Sequence, residues 1–243
     1  MKEHYTIFPL GDSAATIELG KQMSEELNQK VLAMEQWFHQ NTFTGYKDII
    51  VAYSSLTLIY DPYIIRKTYP FEGTIYDWIQ NKIINAYQKS SIQDSGGNGI
   101  NRIPVCYDED FGFDLQSVRL STNLSLEQII ELHVSKVYRV YMLGFLPGFA
   151  YLGEIEPRLI MPRKEIPVKV TEGSVGIVSN QTGIYPLNSP GGWHIIGRTH
   201  IKLFDMKDEI PVKLKAGDKV QFYQIARLEF DDWKSGTAHN SNL

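Results

Sequence analysis

The segment from Gly144 to Gly197 constrains this chain more than any other. Nine of the 19 glycines and six of the 11 prolines fall in these 54 residues. A packed helix cannot carry that load, because each interior proline removes a hydrogen bond and clashes with the preceding turn. The segment is therefore turn-rich backbone, threaded with the aromatics Phe145, Phe149, Tyr151, Tyr185 and Trp193. Glycine admits positive φ and lets a ligand or another backbone come close. Loops of this kind on a β scaffold are where binding groups are mounted.

The rest of the composition narrows the class. At 243 residues the chain holds one or two domains, and 43% hydrophobic content is enough for a core. The net charge is −4, from 24 basic and 28 acidic residues. No basic cluster stands out, which argues against a nucleic-acid partner. The single cysteine, Cys106, excludes an intrachain disulfide and fits a reducing compartment. The N-terminal MKEHYTIFPLGD carries no apolar run of the kind a secretory signal needs. Val140 to Gly153 is uncharged and apolar but shorter than the roughly 18 residues of a membrane span, and Pro147 interrupts it. The expectation is a cytoplasmic protein with no membrane or nucleic-acid partner.

The polar stretch Ser90 to Asn101, SSIQDSGGNGIN, reads as a linker between residues 1–89 and 102–230, with a polar tail over 231–243. Before the linker, β-like Tyr5 to Leu10 and Ala14 to Leu19 flank the Gly11-Asp12 turn. Ser24 is placed to cap a helix whose first turn carries Glu25 and Glu26, and Leu27, Val31, Met34 and Phe38 recur on one face. Lys47 to Tyr53 and Leu56 to Tyr60 form a hairpin pattern around Ser54-Ser55, and Ile75, Ile79 and Ile83 mark a second helix. A small antiparallel sheet with two helices is an α+β domain, of ferredoxin-like arrangement.

After the linker, strands dominate. Ile103 to Tyr107, Val137 to Leu143, Gly173 to Ser179 and His200 to Phe204 are strand-like, and a final pair surrounds the Ala216-Gly217-Asp218 turn. One helix is well marked: Ser125 and Gln128 form a capping-box pair, with Leu124 and Ile129 as a hydrophobic staple. Short strands with Gly/Pro turns give a mainly-β barrel or sandwich.

Several residues carry candidate chemistry, each with a structural alternative. Arg198, read as lying just ahead of a strand, has a guanidinium that can clamp a carboxylate or phosphate bidentately, or tie down loop carbonyls. Arg163 has the same two readings. Gln181, Thr182 and Tyr185, read as a tight turn around Gly183, offer neutral groups suited to an amide or lactam edge, or serve the turn backbone. Ser189 to Trp193 reads as an exposed loop in which the N–H groups of Gly191 and Gly192 form an anion nest, or as a tight connection with Trp193 packed. His133 shares a helical face with Leu126, Ile129 and Ile130, so it is either a satisfied core residue or an acid/base group. Cys106, in the strand-like IPVCY, reads as a buried small hydrophobe. No pair of histidines has metal-ligand spacing, so no metal is expected, and without a GxxxxGK[ST] motif the chain has no P-loop for ATP.

Five blocks carry a family resemblance: GDSA at Gly11 to Ala14, YDP at Tyr60 to Pro62, YMLGFLPGFAYLG at Tyr141 to Gly153, GSVGI at Gly173 to Ile177, and QTGIYPLNSPGGWHIIGRT at Gln181 to Thr199. In order and content they resemble the KipI family, whose members are also described as the 5-oxoprolinase B subunit (PxpB) or allophanate hydrolase subunit 1. The resemblance implies an N-terminal α+β domain and a C-terminal cyclophilin-like β-barrel. It implies the B subunit of a heteromeric 5-oxoprolinase that works with subunits C and A, opening 5-oxo-L-proline to L-glutamate at the expense of ATP. In that frame Arg198, Arg163, Gln181, Thr182, Tyr185, Ser189, Gly191 and Gly192 hold substrate, and His133 moves a proton. Two other activities in the family are inhibition of a sensor histidine kinase, a KipI-like binding role, and allophanate hydrolysis. The chain departs from the family pattern where a second Pro-Arg pair becomes Pro167-Val168 and an alanine becomes Glu172.

Overall fold

The computed structural model describes residues 5–92 and 99–235. Its backbone divides into two units, Met1–Ser95 and Gly96–Leu243. Positions 93–98 of the expected linker and 236–243 of the expected tail lie outside the described residues.

The first unit is a four-stranded antiparallel sheet with helices. Its elements run β1 (Thr6–Pro9), β2 (Ala14–Glu18), α1 (Glu25–Gln40), β3 (Tyr46–Val51), β4 (Ser55–Tyr60), α2 (Pro62–Thr68) and α3 (Ile75–Lys89). The strand order is β1-β2-β4-β3. Since β4 pairs antiparallel with both β2 and β3, the segment β2-α1-β3 is a parallel pair split by an inserted strand. Val31, Met34 and Phe38 of α1 and Ile79, Ile83 and Ala86 of α3 pack with Ile17, Leu56, Leu58 and Tyr60 of the sheet. The Ser24 side chain caps α1, and Thr74 and Asp77 form a capping box on α3. The sequence pattern does not anticipate α2. Asp61 caps it through the Ile64 N–H at 3.1 Å, and Pro62 starts it, the position where proline favours a helix rather than breaking it.

The second unit is a barrel-like sheet. It contains β5 (Ile100–Val105), α4 (Leu115–Thr122), α5 (Leu126–Val134), β6 (Val137–Leu143), β7 (Ala150–Gly153), β8 (Val168–Val170), β9 (Ser174–Val178), β10 (Gln181–Ile184), β11 (Ser189–Gly191), β12 (His194–Arg198), β13 (Lys219–Gln224) and α6 (Arg227–Ser235). Seven strands follow the order β12-β9-β10-β7-β6-β13-β5, while β8 and β11 form a separate two-stranded ribbon. The sheet curls until its outer strands meet, at a bridge between Cys106, which follows β5, and Arg198 of β12. Inside lie Val140, Leu152, Val175, Ile177, Ile184, Val220 and Phe222, with Val118 of α4 and Ile129 of α5 packed against them. The Ser125–Gln128 capping box forms on α5 as the sequence indicates.

The structure corrects four local expectations. Gln181 to Ile184 is a strand between β9 and β7, not a turn. Ser189 to Gly191 is a strand paired with β8, not a free loop. Arg198 ends a strand, and His200 to Phe204 makes only an isolated bridge, Phe204 to Val212. The domain end at 230 falls inside α6, because Phe230 is buried, packing on Phe111, and the Trp233 ring stacks on His200 at 4.3 Å. No helix among the described residues is long and apolar enough to cross a membrane.

Candidate functional site

Successive residues of a strand point to opposite faces. In β10, Thr182 and Ile184 point into the barrel, and Gly183 points out. Gly183 pairs directly with Gly176 of β9. Trp193 lies across both: a Cβ on Gly176 would sit 3.1 Å from Trp193 Cβ, and one on Gly183 would sit 3.0 Å from Trp193 Cζ3. The two glycines are a flat seat for an indole. This explains why GSVGI and QTGI carry glycine inside strands, where it otherwise weakens packing.

Around that seat the outer face of the barrel carries an aromatic cluster. Phe149 meets Trp193 at 5.3 Å, Tyr185 at 5.2 Å and Tyr151 at 4.9 Å, all edge-to-face. Phe145 stands on its rim, 61% exposed, with edge contacts to Phe149 and Tyr185. Its φ of 68° is a costly conformation for a bulky side chain. Tyr185 runs under the β8–β11 ribbon, so any Cβ on Gly191 would collide with its hydroxyl. Burial pushes the Tyr185 phenol up to about 12, partly offset by the Trp193 backbone N–H and the Arg163 charge. Burial also raises the Tyr151 phenol, and Arg163 opposes that shift as well. Both hydroxyls are neutral hydrogen-bonding groups at neutral pH, with Arg163 in electrostatic reach.

Arg163 is held from both sides. His194 Nε2 donates to the Pro162 carbonyl at 2.8 Å, and the Lys164 N–H donates to the Gly192 carbonyl at 2.9 Å. Lys164 Nζ pairs with Asp114, whose same oxygen accepts the Ile195 N–H at 2.7 Å. The Arg163 side chain lies over Gly192, where a Cβ would come within 2.8 Å of Nε.

The residues singled out in the sequence therefore fall in three places. Arg163, Tyr185, Gly191 and Gly192 come together beside the aromatic cluster, with Ser189 farther along β11. His133 and Thr182 lie inside the barrel. His133 has no exposed surface, its Nδ1 accepts from the Tyr107 hydroxyl at 2.7 Å, and its Nε2 donates to Thr182 Oγ1 at 2.9 Å. Thr182 in turn donates to the Gly176 carbonyl at 3.0 Å, which fixes that tautomer. Burial pulls the His133 ring down to about 3, so it is neutral, fully bonded and stacked on Phe222 at 4.6 Å. Arg198 lies at the barrel seam, its Nε donating to the Glu172 carbonyl at 2.9 Å and its guanidinium near the Phe111 ring. Gln181 is half-buried in β10. Sequence reasoning missed Asp114 and Lys164, which are far apart in the chain and carry no local motif. Among the described residues no group of three or more His, Cys, Asp or Glu side chains is placed to hold a metal ion.

Comparison with known proteins places this architecture. The model for "Carboxyltransferase domain, subdomain C and D" matches residues 5–214. The chain belongs to that family. The 5-oxoprolinase B subunit of Bacillus subtilis strain 168 is 37% identical over 241 residues, covering 96% of this chain and 98% of that one. The crystal structure of TTHA0988 matches with a TM-score of 0.74 and 34% identity over 87% of this chain. This chain spans only 39% of that longer polypeptide. The urea carboxylase of Kluyveromyces lactis shares the fold, with a TM-score of 0.75 at 16% identity, over 96% of this chain and 23% of its own length. The family resemblance carried by the five sequence blocks is thus shown along nearly the whole chain, and the fold is a two-unit α/β arrangement.

Proposed function

We propose that this chain is the B subunit of a heteromeric, ATP-dependent 5-oxoprolinase that opens 5-oxo-L-proline to L-glutamate. The observation that carries the reading is its 37% identity, along nearly the full length of both chains, to a protein named as the B subunit of 5-oxoprolinase. In this reading the first unit is ferredoxin-like, with its outer strand supplied from the N-terminal side, and the second is cyclophilin-like. Partner subunits C and A complete the enzyme, and ATP is used at the level of the assembly; this chain carries no P-loop motif. The protein is cytoplasmic in this reading.

Ring opening adds a water oxygen to the lactam carbonyl carbon and breaks the C–N bond, leaving an amine that takes a proton. His133 is not placed for that proton transfer, since both ring nitrogens are bonded inside the barrel. In this reading the chain contributes binding and orientation, and its partners supply the nucleophile and proton donor. The test is reconstitution. The purified chain alone should release no glutamate from 5-oxo-L-proline and ATP, and addition of subunits C and A should start turnover. A complete assembly that stays inactive, while the chain blocks autophosphorylation of a sensor histidine kinase, would replace this reading with the KipI-like one.

A further inference from the structure

Helix α6 meets the barrel seam through Phe230, Trp233 and Arg227. Phe230 packs on Phe111 at 4.5 Å, and Arg227 bonds Asp108 and Asp110 at 3.1 Å each. The third contact is a stack on a titratable ring. The Trp233 indole lies 4.3 Å from His200 and 16° from parallel, and Phe230 meets the same ring at 6.0 Å. The segment under the ring is fixed, because the Thr199 N–H donates to the Gly173 carbonyl at 2.9 Å. Both nitrogens of His200 are buried, and among the described residues neither has a hydrogen-bond partner.

That seat suits one protonation state. A neutral imidazole has one N–H donor, and an imidazolium has two. Closing both charged donors away from water costs more than the attraction of the cation for an indole face returns. The neighbouring charges do not make up the difference. Arg227 holds Asp108 and Asp110, which follow β5, and Asp231 on its own helix. Glu229 and Asp232 of α6 are exposed. Arg198, at the end of β12, gives its Nε to the Glu172 carbonyl, and Lys202 pairs with Asp205. Burial raises the Cys106 thiol and the Tyr223 phenol, which keeps both neutral at neutral and acid pH. Burial alone acts on His200, and it lowers the ring from its ordinary 6.5. With α6 lifted, the ring is solvated and takes its proton near that ordinary value. The open form therefore gains on the closed form as pH falls below 6.5.

We propose that α6 is an acid-released latch on the barrel seam: a proton on His200 breaks the stack with Trp233, and the helix lifts from Phe111 and Cys106.

The lone cysteine reports the opening, because its thiol lies in one cluster with Phe230 and is 2% exposed. A dipyridyl disulfide labels the full-length chain at pH 7.5 and at pH 5.5. Each rate is divided by that of the urea-unfolded chain at the same pH, which cancels the titration of the thiol itself. His200→Phe keeps a flat ring for Trp233 and takes no proton. From pH 7.5 to 5.5 the wild-type ratio should rise at least about threefold more than that of His200→Phe. An equal rise in both proteins, which unfolding through His133 would give, rejects the latch, as does no rise in either. Proton NMR of the wild type is a second measurement that needs no variant. The His200 ring should titrate below 6.5, and exchange of the Phe230 and Trp233 amides, corrected for the intrinsic rate at each pH, should quicken as it does. A ring that titrates while those amides stay equally protected overturns the proposal.

Discussion

Cys106 and Arg198 exchange two backbone hydrogen bonds of 2.9 Å each, and this one pair joins the two outer strands of the seven-stranded sheet. Residue 197 must be glycine for the strands to approach: a Cβ there would lie 2.8 Å from Val105 Cγ1 and 2.9 Å from the Cys106 carbonyl. The Arg198 side chain adds a third tie, to Glu172. Arg198→Lys should therefore lower unfolding free energy by about 1 kcal/mol, the net worth of such a bond. Affinity for 5-oxo-L-proline should not change. Urea unfolding and titration on the same variant check this. Normal stability with lost affinity would return Arg198 to the ligand.

Gly183→Ala should displace Trp193. The new methyl group would meet the Ala150 carbonyl at 2.9 Å, Trp193 at 3.0 Å and Phe149 at 3.2 Å, so backbone and two rings must give way together. Overpacking of this kind costs about 1–3 kcal/mol. The near-ultraviolet circular dichroism of the aromatic cluster should weaken along with the melting temperature. An unchanged aromatic signal would mean that the seat is not tight.

The pH dependence of stability has a defined sign at His133. Folding holds its ring neutral down to about pH 3, whereas the unfolded ring takes up a proton near its ordinary value of 6.5. Below 6.5 the unfolded chain holds the extra proton. The stabilisation is thus fully present above pH 6.5 and lost as pH falls toward 3, at about 1.4 kcal/mol per pH unit. Burial also lowers the His200 ring, which adds to the slope in the same direction. His133→Gln should be less stable at pH 7.5, because Tyr107 or Thr182 loses its partner, and its stability should fall by one proton's slope less between pH 6.5 and 5. Parallel curves for the two proteins would reject this account.

Helix α6 covers the barrel seam through few contacts. Phe230 packs on Phe111, Trp233 stacks on His200, and Arg227 bonds Asp108 and Asp110 at 3.1 Å each. Beneath it the Cys106 thiol is 2% exposed, and burial pushes its pKa up. Trp233→Ala should speed labelling of this lone cysteine by a thiol reagent at least roughly tenfold, as a local opening made easier by about 1.4 kcal/mol would. Labelling at the wild-type rate would show that α6 does not guard the seam.

Much of the first unit was legible in the sequence. Ser24 with its acidic first turn and the spacing of Ile75, Ile79 and Ile83 depend on residues a few positions apart, and helix signals are local. The same holds for the Ser125–Gln128 capping box. Helix α2 was not legible, because Pro62 starts a helix only if the chain turns at Asp61, which also pairs with Lys47 of β3 at 3.2 Å. In the second unit glycine misled. Gly183 read as the centre of a turn and Ser189 to Gly191 as part of a loop or tight connection, since a glycine that serves a turn and one that clears room for a neighbouring ring look alike in one dimension.

By itself the sequence determined the class of each unit, the family, and the chemical inventory: one cysteine, no P-loop, and arginines set among aromatics and glycines. Tertiary structure decided which of those groups share a site. Thr182 and Gly183 are adjacent in sequence, yet strand alternation sends one inward to His133 and seats an indole on the other. Arg163 and Arg198 are chemically identical, yet Arg198 is bonded to a carbonyl at the seam, whereas Arg163 faces solvent beside two tyrosines. Residue type fixes what a group can do. Its partners, brought from distant parts of the chain by strand pairing, decide whether that capacity is already spent on the fold.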